Sequence, residues 1–246
     1  MYEYDWNFIY NEELRLFVRN NKDIPIVKMF NKELEEPFKH YKIKYGSNVL
    51  VIGSFAGSTE QHLFYKGAAH VTTVEAHKKH ITLLETLRYY GNGTFLKTIF
   101  QKWDIVNVAV HNTYEDYCKS TFCPDRLHEN ATHSAFSSVE NREKFDAIKS
   151  YRIKKFRFTN LMKMLFENGF APSHIIMDFD GVAVMLLDDK AIFRIKEHGY
   201  NVLINIREKE LARLPSDYFD KLQGICDSEN MYYHRINKNF INISGE

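Results

Sequence analysis

The sequence predicts an α/β fold in which a mainly parallel sheet carries helices on both faces. Short apolar runs rich in β-branched residues recur along the chain, and stretches with helical spacing separate them. Strands that alternate with helices favour parallel pairing, because each parallel crossover needs a helix-length connection. Ligands of such sheets bind beyond the carboxyl ends of the strands, so candidate functional residues are sought there.

The elements follow in order along one domain at 47–246. Residues 1–46 have apolar spacings of three and four and are predicted to form an N-terminal helical extension. Ser58 or Thr59 is the expected N-cap of the first helix within the domain. The predicted strands are NVLVIG (48–53), HVTTVEA (70–76), IVNVAV (105–110), HIIMDFDG (174–181) and YNVLINI (200–206). The predicted helices lie in SFAGSTEQHLFYKGA (54–68), KKHITLLETLRYYGNG (78–93), FTNLMKMLFENG (158–169) and VAVMLLDDKAIFRIKEHG (182–199).

Two polar stretches stand apart from this alternation. Residues 111–147 are polar and are predicted to be irregular, which favours an insertion that forms an acceptor pocket or a lid. The run YRIKKFRF (151–158) interleaves basic and aromatic residues. It fits either a nucleic-acid contact or a strand with one solvated face, and the alternation favours the strand.

Charge and cysteine content indicate which partners and which cellular compartment the protein is expected to have. The chain of 246 residues has 33 basic and 32 acidic side chains and a net charge of +1, which argues against a nucleic-acid partner. Its three cysteines show no framework spacing, which fits a reducing compartment and a cytoplasmic location. No apolar run is long enough to span a membrane, and the acidic N-terminus is not a signal peptide.

The loop after the first predicted strand points to a nucleoside ligand. Gly53 and Gly57 allow a tight turn and a close approach to the backbone, and a helix N-terminus follows. Glu75 ends the next strand, where an acid can accept hydrogen bonds from ribose hydroxyls. Phe55 occupies the middle glycine of the dinucleotide fingerprint and would crowd a pyrophosphate, so S-adenosylmethionine fits better. The alternative is an ordinary glycine turn beside a solvated acid.

The same residues carry a resemblance to a known family. VLVIGSFAGSTEQHLFYKGAAHVTTVEAH (49–77) resembles the first β-α-β unit of class I S-adenosylmethionine-dependent methyltransferases, and most of all the FkbM-like ones, whose first motif reads V-L-D-V-G-A-N-I-G. NVAV (107–110) is similar to their N-x-A-L, and HIIMDFDGVAVMLL (174–187) to their K-I-D-V-E-G-x-E-x-x-V-L. The resemblance covers about residues 48–206. It departs at Val51 and Val184, where the family has acids.

The resemblance implies a Rossmann-like enzyme that uses S-adenosyl-L-methionine. It implies methyl transfer to an oxygen of a small-molecule or saccharide acceptor, such as a sugar or glycoconjugate precursor. Glu75 would bind the ribose hydroxyls. The other implied cofactor-binding residues are Gly53, Ser54, Phe55, Ala56 and Gly57 for the methionine and sugar, Ala76 and His77 for the adenine, and Asn107, Val108 and Ala109 for the sulfonium end.

The catalytic candidates are Asp178, Asp180 and His111. Asp178 and Asp180 would share one side of an extended strand, because side chains alternate along it. They could deprotonate an acceptor hydroxyl, bind a divalent cation or cap the next helix. His111 follows the strand at 105–110 and could act as a base. A zinc site at Cys118 and Cys123 has poor spacing, and no metal is expected from it.

Two rival functions stay open at this point. The acceptor could be RNA or a protein side chain, or the chain could be a non-catalytic partner subunit on a methyltransferase fold. The absence of the family's acid at Val51 gives the second rival some support. The sequence leaves the oligomeric state open, a homodimer included.

Overall fold

The computed structural model of the protein describes residues 37–54, 57–76, 80–81, 84–85, 88, 102–110, 117–121, 150–179, 182–187 and 189–245. The strands are β1 (Asn48–Ile52), β2 (His70–Glu75), β3 (Lys102–Asn107), β4 (Ala109–Val110), β5 (Tyr117–Thr121), β6 (Ser150–Phe156), β7 (His174–Met177), β8 (Asn201–Asn205), β9 (Tyr232–Arg235) and β10 (Phe240–Ser244). The helices are α1 (Ser58–Tyr65), α2 (Phe158–Glu167), α3 (Val182–Leu186), α4 (Asp189–Glu197), α5 (Glu208–Leu211) and α6 (Tyr218–Ser228).

A seven-stranded sheet with the order β3-β2-β1-β7-β8-β10-β9 forms the centre of the protein. The first five strands in this order are parallel, whereas β10 runs antiparallel to both β8 and β9. The strand order reverses between β1 and β7, because β2 and β3 lie on one side of β1 and β7 and β8 on the other. The mainly parallel, Rossmann-like sheet predicted from the sequence is confirmed, and its switch point lies between β1 and β7.

The two strands at the switch point are buried along almost their whole length. All four residues of β7 are buried, and so are the last four of β1. Helices cover parallel sheets on both faces, which is why these strands are continuous apolar runs rather than alternating ones. Leu50, Ile52, Ile175 and Met177 belong to one core cluster that also includes buried residues of α2, α4 and α6.

A second sheet of three strands, in the order β4-β6-β5, begins just past β3. The prediction of one strand at 105–110 is wrong in detail, because the chain leaves the main sheet at Val108 and β4 pairs with β6 instead. The prediction of irregular structure at 111–147 is also wrong at Tyr117–Thr121, which forms β5 and pairs with β6. The expectation of a strand in the basic run is confirmed by β6, in which Lys154 is exposed and Lys155 buried.

Two further local predictions need correction. The N-cap of α1 is Gly57 and not Ser58 or Thr59, and Gly57 has a left-handed conformation with φ 73°. The predicted helix at 182–199 is divided into α3 and α4. The C-terminal part, which the sequence left unassigned, forms α5, α6 and the β9-β10 hairpin.

The N-terminal part of the described chain is hydrogen-bonded to the amino ends of β7 and β8. Residues 37–40 are helical, and the predicted extension before residue 37 lies outside the described residues. The Tyr41 side chain is buried, and the single hydrogen of its hydroxyl is shared between the carbonyl oxygens of Asn201 (2.7 Å) and Ile175 (3.2 Å). Within the described chain, no helix combines the length and the apolar character needed to cross a membrane.

Candidate functional site

Gly53 lies at the switch point, where the carboxyl ends of three strands meet. Its φ is +83°, and a Cβ built on it would lie 2.0 Å from the Asp178 carbonyl oxygen. Its N–H donates to the Val74 carbonyl oxygen, and the Asp178 N–H donates to that of Ile52, both at 2.8 Å. A glycine is therefore required here both by the backbone conformation and by the contact with β7.

Glu75, the last residue of β2, faces the glycine loop. Its side chain is buried, and its Oε2 accepts a 2.9 Å hydrogen bond from the Ser54 N–H. The His80 Nδ1 lies 3.6 Å from the same oxygen. The structure thus brings Gly53, Ser54 and Glu75 together, with the carboxylate directed toward the loop rather than toward bulk water.

The loop leads directly into the N-terminus of α1. Gly57 adopts its left-handed conformation one residue before the helix, and no side chain caps the first turn. The unpaired N–H groups of a helix N-terminus carry a partial positive charge and attract ligand oxygens. Phe55 and Ala56, which the sequence analysis also assigned to this loop, lie outside the described residues.

The end of β3 lies beside the end of β2. The Asn107 side-chain amide donates to the carbonyl oxygens of Glu75 (2.9 Å) and Ala76 (3.2 Å), which fixes the backbone that follows Glu75. Val108 and Ala109 are buried. Since β2 separates β3 from β1 in the sheet, these residues lie on the Glu75 side of the site. His77 and His111 are outside the described part of the chain.

Asp178 pairs with an arginine that the sequence analysis did not identify. The Arg207 Nε donates to Asp178 Oδ1 and its Nη2 to the Asp178 carbonyl oxygen, both at 3.1 Å. Both side chains are partly exposed at the carboxyl edge of the sheet. Arg207 comes two residues after β8 ends, and that position next to a predicted strand end was the available signal.

The argument that Asp178 and Asp180 share one face of a strand is wrong at Asp178. β7 ends at Met177, and both Asp178 and Phe179 lie beyond it. Just beyond the end of β7, the Asp178 carbonyl oxygen lies against Gly53 and accepts a hydrogen bond from Arg207. Asp180 lies outside the described residues.

A buried acid lies on the other side of the glycine loop. Glu60, in the first turn of α1, is fully buried, and its Oε1 accepts a 2.9 Å hydrogen bond from the Thr73 hydroxyl. The Trp103 Nε1 donates to the same hydroxyl at 2.9 Å. Burial raises the pKa of Glu60, and so does the nearby charge of Glu75, whereas hydrogen bonds from its own backbone, Ser54 and Thr73 act in the opposite direction.

Neither metal binding nor thiol chemistry gains support from the described residues. Among them, no three His, Cys, Asp or Glu side chains are grouped so that they could hold a metal ion. Cys226 is buried as a free thiol, and burial raises its pKa to about 11. A thiol with so high a pKa has little thiolate at neutral pH and is a poor nucleophile.

The chain matches no protein-family model, and a search of the curated proteins finds no match. The solved structures to which it is similar include three methyltransferases. The methyltransferase FkbM from Methylobacillus flagellatus KT matches with a TM-score of 0.48 and 14% sequence identity, over 84% of this chain and 46% of that one. A candidate SAM-dependent methyltransferase from Streptococcus mutans matches with a TM-score of 0.46 and 10% identity, over 87% of this chain and 48% of that one. A SAM-dependent methyltransferase from Aquifex aeolicus matches with a TM-score of 0.42 and 12% identity, over 94% of this chain and 96% of that one.

The chain spans about half the length of the first two of these proteins.

Proposed function

We propose that this chain is an S-adenosylmethionine-dependent methyltransferase that binds its cofactor at the carboxyl ends of β1 and β2. The observation that carries the proposal is the hydrogen bond from the Ser54 N–H to Glu75 Oε2. It forms next to Gly53, whose Cα lies so close to the Asp178 carbonyl that no side chain would fit. The hydrogen bond lies beside the switch point of a mainly parallel sheet, where such folds bind nucleoside ligands.

The residues of this site fit an adenosine-containing ligand. The Ser54 hydrogen bond holds the Glu75 carboxylate next to the loop, and a carboxylate there can accept hydrogen bonds from two ribose hydroxyls. Gly53 brings the backbone to the ligand without a side chain, and the helix after Gly57 adds N–H groups. Phe55, in place of the middle glycine of the dinucleotide fingerprint, is expected from the sequence to disfavour a diphosphate.

The cofactor-binding assignments follow the order of the strands. We assign Gly53, Ser54, Phe55, Ala56 and Gly57 to the methionine and sugar portion, and Glu75 to the ribose hydroxyls. Ala76 and His77 are assigned to the adenine. Asn107, Val108 and Ala109, expected from the sequence at the sulfonium end, are moved to the adenosine side because the Asn107 amide contacts the Glu75 and Ala76 carbonyls.

When bound, S-adenosylmethionine supplies an electrophilic methyl group, and the protein's main task is to orient the acceptor. Much of the rate of such a reaction comes from positioning two reactants in line. Arg207 balances the charge of Asp178, so Asp178 suits the orientation of an acceptor better than the removal of its proton. Asp180 and His111 remain the candidate bases for a hydroxyl acceptor.

For the acceptor we propose a hydroxyl of a small molecule or saccharide, such as a sugar or glycoconjugate precursor, in the cytoplasm. This choice rests on the resemblance to FkbM-like methyltransferases in the motifs at Gly53, Asn107 and Asp178. An RNA or protein acceptor is the alternative, and the net charge of +1 disfavours RNA. A non-catalytic partner subunit is the second alternative.

The experiment that tests the proposal has two steps. Isothermal titration calorimetry with S-adenosylmethionine and S-adenosylhomocysteine measures binding, and we expect dissociation constants in the micromolar range. Incubation with methyl-labelled donor and pools of saccharides, RNA and peptides then identifies the acceptor class. Lack of binding at millimolar ligand would contradict the cofactor assignment, and binding without transfer to any pool would favour the non-catalytic alternative.

A further inference from the structure

The glycine loop lacks the acid that the FkbM-like resemblance places on the first strand. That position is Val51, which is fully buried and offers no polar atom to the loop. Loops that bend sharply need their backbone and side-chain polar groups satisfied, because a buried orphan group costs free energy. We therefore expect another polar side chain to hydrogen-bond to the glycine loop and fix its conformation.

Glu60 and Ser54 supply a pair of buried polar atoms beside each other. In the described part of the chain, Glu60 Oε2 and the Ser54 hydroxyl oxygen each expose less than 1 Å² and make no hydrogen bond that satisfies distance and angle limits. The Ser54 hydroxyl nevertheless lies within hydrogen-bonding reach of the Glu60 carboxyl group, and this contact acts to lower the pKa of Glu60. Two such atoms side by side satisfy each other if one of them carries a proton to donate.

The direction of the hydrogen bonds shows where that proton belongs. The indole N–H of Trp103 can only donate, so it occupies a lone pair of the Thr73 hydroxyl, which then donates its own hydrogen to Glu60 Oε1. Oε1 is thus an acceptor, so a proton on Glu60 would be carried by Oε2, which has no hydrogen-bond partner among the described residues. Protonated Oε2 can donate to the Ser54 hydroxyl, while the Ser54 N–H donates to Glu75.

We propose that Glu60, as a neutral carboxyl group, replaces the missing strand acid and acts as the positioning residue of the glycine loop. The chain of hydrogen bonds runs from Trp103 through Thr73 and Glu60 to Ser54, and so to Glu75. Its expected effect on the cofactor rests on the proposed function, whereas its effect on the loop does not.

The surroundings of Glu60 favour the neutral form of its carboxyl group, because burial raises its pKa. It is fully buried, and burial of an ionised carboxylate is costly, which outweighs the opposite effect of its hydrogen bonds. The charge that acts on it is Glu75, on the end of β2, whose Oε2 also lies near His80. On α1 itself, burial lowers the pKa of His62 to about 4, so that His62 stays uncharged above pH 6. Thr73 on β2 and Trp103 on β3 do not titrate in this range.

Ionisation of Glu60 at high pH would disturb the site in two ways. Oε2 would lose the proton that it donates to Ser54, and a second negative charge would arise beside Glu75. Both changes weaken the geometry of the loop, so the cofactor affinity falls as the pH rises through the ionisation of Glu60. Glu60→Gln should remove the pH dependence of the cofactor affinity, because a side-chain amide cannot ionise. Its carbonyl oxygen can accept from Thr73, and its NH2 group can donate to Ser54.

The test is a calorimetric titration of S-adenosylhomocysteine between pH 6 and pH 10 with the wild type, Glu60→Gln and Glu60→Ala. At pH 7 we expect Glu60→Gln to bind within about threefold of the wild type and Glu60→Ala about tenfold more weakly, as for one lost hydrogen bond. At high pH the wild type loses affinity and Glu60→Gln does not. The matched control is Glu167→Gln, an exposed acid on α2, which should follow the wild type.

A pH profile of Glu60→Gln that falls like that of the wild type would overturn the proposal, and so would equal losses in Glu60→Gln and Glu60→Ala at pH 7. If Glu60→Ala does not fold, the comparison of Glu60→Gln with the wild type decides alone.

Infrared difference spectroscopy and hydrogen exchange separate this proposal from the proposed function. A protonated carboxyl band near neutral pH that Glu60→Gln removes, together with faster exchange of the Ser54 amide in Glu60→Ala, supports the positioning role even if the wild type binds no S-adenosyl ligand. In that event the cofactor assignment alone would fail. Absence of the band in the wild type contradicts a neutral Glu60.

Discussion

The Ser54 N–H donates a 2.9 Å hydrogen bond to Oε2 of Glu75, 21 residues further along the chain. This bond joins the loop after β1 to the end of β2, and both groups are buried. A carboxylate held in this way is already oriented for a ligand, which reduces the ordering cost of binding.

Gly53→Ala should destabilise the protein strongly. The new Cβ would lie 2.0 Å from the Asp178 carbonyl oxygen, and the φ of +83° is unfavourable for alanine. We expect the free energy of unfolding to fall by about 3 kcal/mol or more. Chemical denaturation followed by circular dichroism measures the change.

The matched control for this substitution is Gly169→Ala. Gly169 also has a positive φ, +79°, but a Cβ there would meet no atom within 4 Å. It should cost only the backbone strain of about 1 kcal/mol. Equal losses in the two variants would show that the contact between Gly53 and β7 contributes nothing.

Arg207→Gln should loosen the turn after β7 at a modest cost in stability. The side-chain pair with Asp178 is partly exposed, so we expect a loss of about 1 kcal/mol. A double-mutant cycle with Asp178→Asn isolates the interaction energy. Since Arg207 also donates to the Asp178 carbonyl oxygen, part of its loss should persist in the Asp178→Asn background. Complete additivity of the two substitutions would contradict the pairing.

The stability of the wild type relative to Glu60→Gln should fall as the pH rises. Burial raises the pKa of Glu60 in the folded protein above its ordinary value of 4.5, so the folded state binds this proton more tightly than the unfolded state. The contribution is therefore complete below about pH 4.5 and is lost as the pH rises through the folded-state pKa. Urea denaturation of both proteins at pH 5 and pH 8 measures it, and a constant difference between them would contradict a raised pKa.

The central sheet could be predicted from sequence because its signals are local. NVLVIG and HIIM are apolar runs bounded by turn residues, and they became the two buried strands at the switch point. The Gly53 and Glu75 positions followed, because strand ends of a parallel sheet meet at one edge. These assignments needed no knowledge of contacts between distant residues.

The features that could not be predicted from the sequence depend on contacts between residues far apart in the chain. β5 exists through its pairing with β6, and Arg207 acquires its role only when β8 lies beside β7. Glu60 has the ordinary appearance of an acid in a helix's first turn, and only the packing of α1 against β2 and β3 buries it beside Thr73 and Trp103. The local sequence pattern around a residue does not show which distant residues will contact it.

The most direct test of the cofactor site is the affinity of the Glu75→Ala variant for S-adenosylhomocysteine, measured by calorimetry beside the wild type. Removing the carboxylate should weaken binding by about 1–3 kcal/mol, because the ribose hydroxyls lose their acceptor and Ser54 its partner. Glu167→Ala on the exposed face of α2 serves as the control and should bind as the wild type does. An unchanged affinity in Glu75→Ala, or no measurable binding by the wild type, would contradict the account.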